Sequence, residues 1–226
     1  MKVSSQRGKP STGLRAFTLI ELLVVITIMM LMAGLAWPAL TPLIMGNRMT
    51  ANLLTLSGTL DQARQYAISK NTYVWVLMTT PVNTTTSFPK VAVISSLSGT
   101  DSLAWSTTPM NLSTNTDLTV VGKVTDLPNV WIEDTNTVTI PSKPSVTPTP
   151  SSTATVNITY YVGGQAVTFT RCVEFTPTGE ARISSTLVPY IDLAMIPSHS
   201  ASLTDSQNQA VLRLTGITGR AAIYRQ

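Results

Sequence analysis

Between Leu22 and Asn47 the chain carries no charged side chain. At a helical rise of about 1.5 Å per residue, that stretch is long enough to cross a hydrocarbon core roughly 30 Å thick. A secretory signal is the first rival, since a basic region followed by an apolar one is its signature, but its apolar region runs to only about 7 to 15 residues. The pattern predicts a transmembrane helix over residues 17–45. Lys2, Arg7, Lys9 and Arg15 precede it with no acid among them, so the positive-inside rule places residues 1–16 in the cytoplasm as a basic leader and the body beyond Arg48 on the far side. Those four residues account for the whole net charge of +4. The body is electrically balanced, so the basic excess is no argument for a nucleic-acid partner there.

One acid, Glu21, sits about a turn into this apolar segment. A carboxylate at membrane depth costs a few kcal/mol and normally faces a partner or a polar cavity. No Lys, Arg or His lies between residues 17 and 47, so a salt bridge within the helix is unavailable. If the leader were cut after Ala16, Phe17 would carry a new α-amine one helical turn from Glu21, on the same chain or on a neighbouring helix. That reading ties the acid to assembly.

The segment "RAFTLIELLVVITIMMLMAGLAWPAL" closely resembles the prepilin-type cleavage and methylation segment of type IV pilins and type II secretion pseudopilins. The resemblance implies a prepilin peptidase that cuts between Ala16 and Phe17, N-methylation of Phe17, and subunit docking directed by Glu21. The family usually has Gly before the cut, where this chain has Ala16. Pro38 matches the family's helix-kinking proline and Pro42 adds a second break; each removes a backbone donor and bends a helix.

Past the membrane segment, Met49, Leu53, Leu56, Leu60, Ala63 and Ala67 recur at spacings of four and three, the stripe of an amphipathic helix. The helix is therefore expected to continue through residues 46–70, on the order of 80 Å in all, with its second half packed on a sheet. Gly58 weakens its middle and Asn71 is a fair terminator. From residue 71 onward the period changes to two. "TYVWVLMTT" (72–80), "KVAVISS" (90–96), "DLTVVGKV" (117–124) and "TVTI" (137–140) read as strands. "PSKPSVTPTPSSTAT", residues 141–155, is rich in Pro, Ser and Thr and reads as an extended solvated loop. Two β-branched and aromatic runs flank Gly163-Gly164, a strong hairpin signal. "TPTGEARI" (176–183) adds a turn and a short strand, and "AVLRLTGITGRAAIYR" (210–225) reads strand, turn, strand. The expected class is α+β: a long N-terminal transmembrane and amphipathic helix packed on an antiparallel β-sheet head, residues 71–226.

These pieces resemble the small pseudopilins of the GspH and FimT type. "DQARQYAISKNTYVWV" (61–76) is similar to that family's join between helix and first strand. Phe175, Pro177 and Gly179 match its F-x-P-x-G turn, and Gly219-Arg220 its closing strand. More faintly, the whole chain is similar to the Verru_Chthon cassette protein D group.

Catalytic chemistry is poorly provided for. One cysteine and one histidine exclude an internal disulfide framework and most His- or Cys-based metal sites. His199 lies in a polar loop where Asp192 or Asp205 would have to orient it, and no nucleophile motif accompanies it. Glu133-Asp134 falls well short of the six or more oxygens that calcium takes. Cys172, within a strand, reads as a small buried residue.

The expectation is a minor pilin or pseudopilin, not an enzyme and without a cofactor. Its partners would be a prepilin peptidase, other pilin-type subunits and the bacterial inner membrane, with the head periplasmic. The rival reading is a filament-borne binding module that captures DNA or another ligand through the C-terminal hairpin, with Arg213, Arg220, Arg225 and Tyr224 as contacts. Strand alternation already places Arg220 and Arg225 on opposite faces.

Overall fold

The computed structural model describes residues 18–80, 88–101, 103, 105, 108–133, 138, 140–198 and 208–225, and of helix residues 35–47 the backbone alone. Two compact units divide the chain, Met1–Leu43 and Ile44–Gln226.

One α-helix, α1, runs from Leu19 to Lys70. Within the second unit its apolar stripe is the buried one: Met49, Leu53, Leu56, Leu60, Ala63 and Ala67 are each at most 2% exposed. Side chains three and four apart share a helix face, so a 3.6-residue period lays all six along one line. Asn71 ends the helix by taking a left-handed φ of 51°. Its N–H donates to the Ile68 carbonyl at 3.4 Å and that of Thr72 to the Ala67 carbonyl at 3.1 Å, which satisfies two carbonyls that have no partner within the helix.

Eleven strands follow among the described residues. They are β1 (Val74–Met78), β2 (Lys90–Ser96), β3 (Met110–Asn111), β4 (Leu118–Asp126), β5 (Val130–Glu133), β6 (Ala154–Val162), β7 (Gln165–Phe175), β8 (Ala181–Arg182), β9 (Tyr190–Pro197), β10 (Ala210–Thr215) and β11 (Ala221–Arg225). They form a seven-stranded sheet in the order β3-β6-β7-β1-β2-β4, with β8 beside β7, and a four-stranded sheet in the order β11-β10-β9-β5. The β6-β7 hairpin turns at Gly163 and Gly164, with φ of 58° and 83°. Two successive positive φ values fit the right-handed twist of the strands they join, which is why two glycines stand there.

The main core lies between α1 and the inner faces of both sheets: Val74, Val76, Val173 and Phe175 from one, and Val130, Ile132, Leu193 and Leu212 from the other. A second core covers the opposite face of the larger sheet, where Trp75, Leu77, Phe169 and Cys172 pack with Leu103 and Leu112. A third, of Val138, Ile140, Ala194, Ile196 and Val211, covers the outer face of the smaller sheet.

Val138 and Ile140, read as part of a strand, are non-strand residues that pack on β9 and β10. Two strands stand outside the sequence expectations: "VWIE" is β5, and "YIDLAMIP" is β9, which pairs with both β10 and β5. Residues 191–197 of β9 are all buried, so its sequence shows an apolar run broken only by Asp192, with no alternation to reveal a strand.

Candidate functional site

At the start of α1, Thr18 and Glu21 bind each other. The Thr18 N–H and hydroxyl donate to Glu21 Oε2 at 3.0 and 2.9 Å, and the Glu21 N–H donates back to the Thr18 hydroxyl at 3.3 Å. This is a capping box: a Thr just ahead of the first turn and a Glu three residues on satisfy two donors that have no partner within the helix, together worth about 1 kcal/mol. The carboxylate also lies at the positive end of the helix dipole. "TLIE" carries this signal openly, with a neutral hydroxyl and amide rather than a positive charge as the partner of the acid. Cutting before Phe17 would leave the Thr18 amide in place, so the box survives such processing. Leu19, Ile20, Leu22, Leu23 and the apolar residues through Met32 are exposed on this segment, Leu19 by 82%. Ala16 and Phe17 lie outside the described residues. Pro38 and Pro42 fall within α1, at positions whose side chains are likewise outside them.

The C-terminal arginines do not share a surface. Arg213 of β10 is 4% exposed. Its Nε and Nη2 donate to the two carboxylate oxygens of Asp192 at 2.7 and 2.9 Å, and its Nη1 to the Pro144 carbonyl at 2.8 Å. The rings of Tyr190 and Tyr224 lie 5.5 and 5.6 Å from its guanidinium carbon, within cation–π reach. Asp192 raises the guanidinium pKa further above its ordinary value. Lys143 adds a third charge, 3.1 Å from Asp192 Oδ2. Arg213 is thus the centre of a buried network that pins the start of the Pro/Ser/Thr loop to β9 and β10, with no outward guanidinium edge for a phosphate. Arg225 is on the other face and donates to the Thr50 hydroxyl of α1 at 2.6 Å. Arg220 is exposed in the turn before β11. Tyr224 is half-buried against Arg213 and is not set beside Arg225.

Residues 15–37 match the family model of the prokaryotic N-terminal methylation motif. This segment is consistent with a type IV pilin-like protein. The match covers the capping box and the exposed apolar run of α1 and stops well short of the head. No curated protein and no solved structure matches the chain. Among the described residues no helix is long and apolar enough to cross a membrane; within the expected span the described side chains run from Thr18 to Gly34.

Away from the methylation motif, three stretches picked out in the sequence meet in space. Arg64 of α1 donates from Nε to the Gly179 carbonyl at 3.3 Å. A Cβ on Gly179 would stand 2.8 Å from Ile68 Cδ1, and one on Gly219 would collide with the Gly179 carbonyl oxygen and stand 2.9 Å from Arg64 Cδ. The F-x-P-x-G turn and the Gly219-Arg220 turn therefore close on one helix residue. Asp192 faces Arg213, while His199, Asp205 and Asp134 lie outside the described residues; Glu133 ends β5 half-buried. Burial pushes the Cys172 thiol up, which leaves it in the poorly reactive, protonated form.

Proposed function

We propose that this chain is a minor pilin or pseudopilin, a structural subunit of a type II secretion or type IV pilus-like filament assembled from the bacterial inner membrane. In this reading residues 17–45 anchor it in that membrane with the head in the periplasm. A prepilin peptidase removes residues 1–16, Phe17 is N-methylated, and other pilin-type subunits pack against the helix. The observation that carries the proposal is the methylation motif at residues 15–37. The row of exposed apolar side chains from Leu19 to Met32, broken only by Glu21 and Thr27, supports it, because a row of that size needs lipid or neighbouring helices to cover it. Glu21 is the docking group. In a bundle of such helices its carboxylate meets the α-amine of a neighbour's Phe17, a charge-assisted hydrogen bond of about 1.5 to 3 kcal/mol.

The decisive measurement is the intact mass and N-terminal sequence of the protein from its native membrane, with a methylated Phe17 expected at the new terminus. A chain that still begins at Met1 refutes the processing. In parallel, Glu21→Leu is expected to insert in the membrane as well as the parent chain, yet to enter filaments about tenfold less, the factor that about 1.4 kcal/mol carries. Unchanged incorporation removes Glu21 from the docking role.

A further inference from the structure

Glu174 of β7 is the most anomalous group in the head. Its residue is 1% exposed, and neither carboxyl oxygen has a hydrogen-bond partner among the described residues. It stands directly across the ladder from Trp75 of β1 and from Arg182 of β8. The Trp75 indole N–H is also buried with no partner among the described residues, as is that of Trp105 in the same core. Alternation along β7 puts Cys172, two residues away, on the same face.

The charged and titratable neighbours are few. Asp101 repels the Glu174 charge and Arg182 attracts it, but Arg182 is already held by Glu180, with Nε and Nη2 at 3.1 and 2.5 Å from Oε2. Among the described residues, Tyr73, stacked on Trp75 with ring centroids 6.3 Å apart, and the Cys172 thiol are the other titratable groups here. A carboxylate in this position has lost its water and gained no hydrogen bond, so the neutral acid is favoured. Burial, then Asp101, pushes Glu174 up to about 8.

We propose that opening of the layer formed by Trp75, Leu103, Trp105 and Cys172 is coupled to loss of the Glu174 proton, so that this face of the seven-stranded sheet loosens as the surrounding pH rises. The sign follows from proton linkage. Between the ordinary carboxylate value of 4.5 and about 8, the closed layer holds a proton that the open one releases. Closure is therefore strongest below the ordinary value and weakens by up to about tenfold per pH unit as pH rises. It levels off above about pH 8, where both forms are ionised.

Cys172 provides the readout, since it is fully buried in this layer and is the only cysteine in the chain. The full chain in detergent micelles is labelled with iodoacetamide across the pH range, and each rate is divided into that of the denatured chain at the same pH to give a protection factor. Protection is expected to fall about tenfold per unit from pH 5.5 to 7.5, to be insensitive to low urea, and to stay level in Glu174→Gln. Asp101→Asn, which removes the repelling charge, is expected to lessen the total loss, and Arg182→Gln to enlarge it. Protection independent of pH in the parent chain overturns the proposal. So does an equal fall in Glu174→Gln, or labelling that tracks global unfolding in urea. Should Glu174→Gln fail to fold, the opposite shifts of the Asp101 and Arg182 variants decide the matter.

Discussion

Asp192 shows how the worth of a single side chain depends on what surrounds it. Its side chain is fully buried between Arg213 and Lys143, and a buried ion pair repays its desolvation only while both partners are present. Asp192→Ala is expected to destabilise the head by about 3 to 5 kcal/mol, as is Arg213→Ala, and the two together by much less than their sum. Urea unfolding of the single and double variants measures this; additive losses would mean that the pair is not the unit. The same residues show where sequence reading stops. "VLRLT" and "IDLAM" reveal that an arginine and an acid lie in apolar runs, but only the register that sets Arg213 opposite Asp192 makes them partners. Glu21 is the converse. Thr18 is three residues away, so its partner was legible in the chain itself, although reading the acid through charge alone concealed it.

Elements differ in how far their glycines are built in. Gly58 lies mid-helix with open space where a Cβ would stand, so Gly58→Ala is expected to stabilise the head by roughly 0.5 to 1 kcal/mol through helix propensity. At Gly216 a Cβ would collide with the Val188 carbonyl oxygen, and Gly216 N–H donates to Pro189 while its carbonyl accepts from Ala181. Gly216→Ala must break that close packing and is expected to cost about 2 to 4 kcal/mol, at the upper end of single-residue effects. Thermal unfolding of the two variants should move in opposite directions, and a shift of the same sign would refute the reading of both sites. Which glycine belongs to which class is invisible in the sequence. Both follow a small hydroxyl residue, Ser57 or Thr215, and the difference lies in backbone that approaches from a distant segment.

For the second unit, the cores formed by the described residues draw on side chains from Met49 to Tyr224. A fragment of residues 44–226 is therefore expected to unfold in one cooperative transition with a denaturant slope scaled to its buried surface. A broad or multiphasic transition would show that the first unit is required for the fold. The distinction matters for the proposed filament subunit, because a head that folds alone leaves the methylation motif and its apolar row to membrane and neighbouring subunits.

The long helix, its buried stripe, its capping box, its stop at Asn71 and the Gly163-Gly164 hairpin could all be read from the chain, because each depends on groups within a few residues of one another. Periodicity and cap chemistry are local. The pairing order of the strands, the central place of β9, the closing of two turns on Arg64, the Arg213 network and the isolation of Glu174 were decided by tertiary structure. They arise where segments far apart in sequence exclude water from the same polar groups, and the energy of a buried charge is set by those neighbours rather than by its own place in the chain.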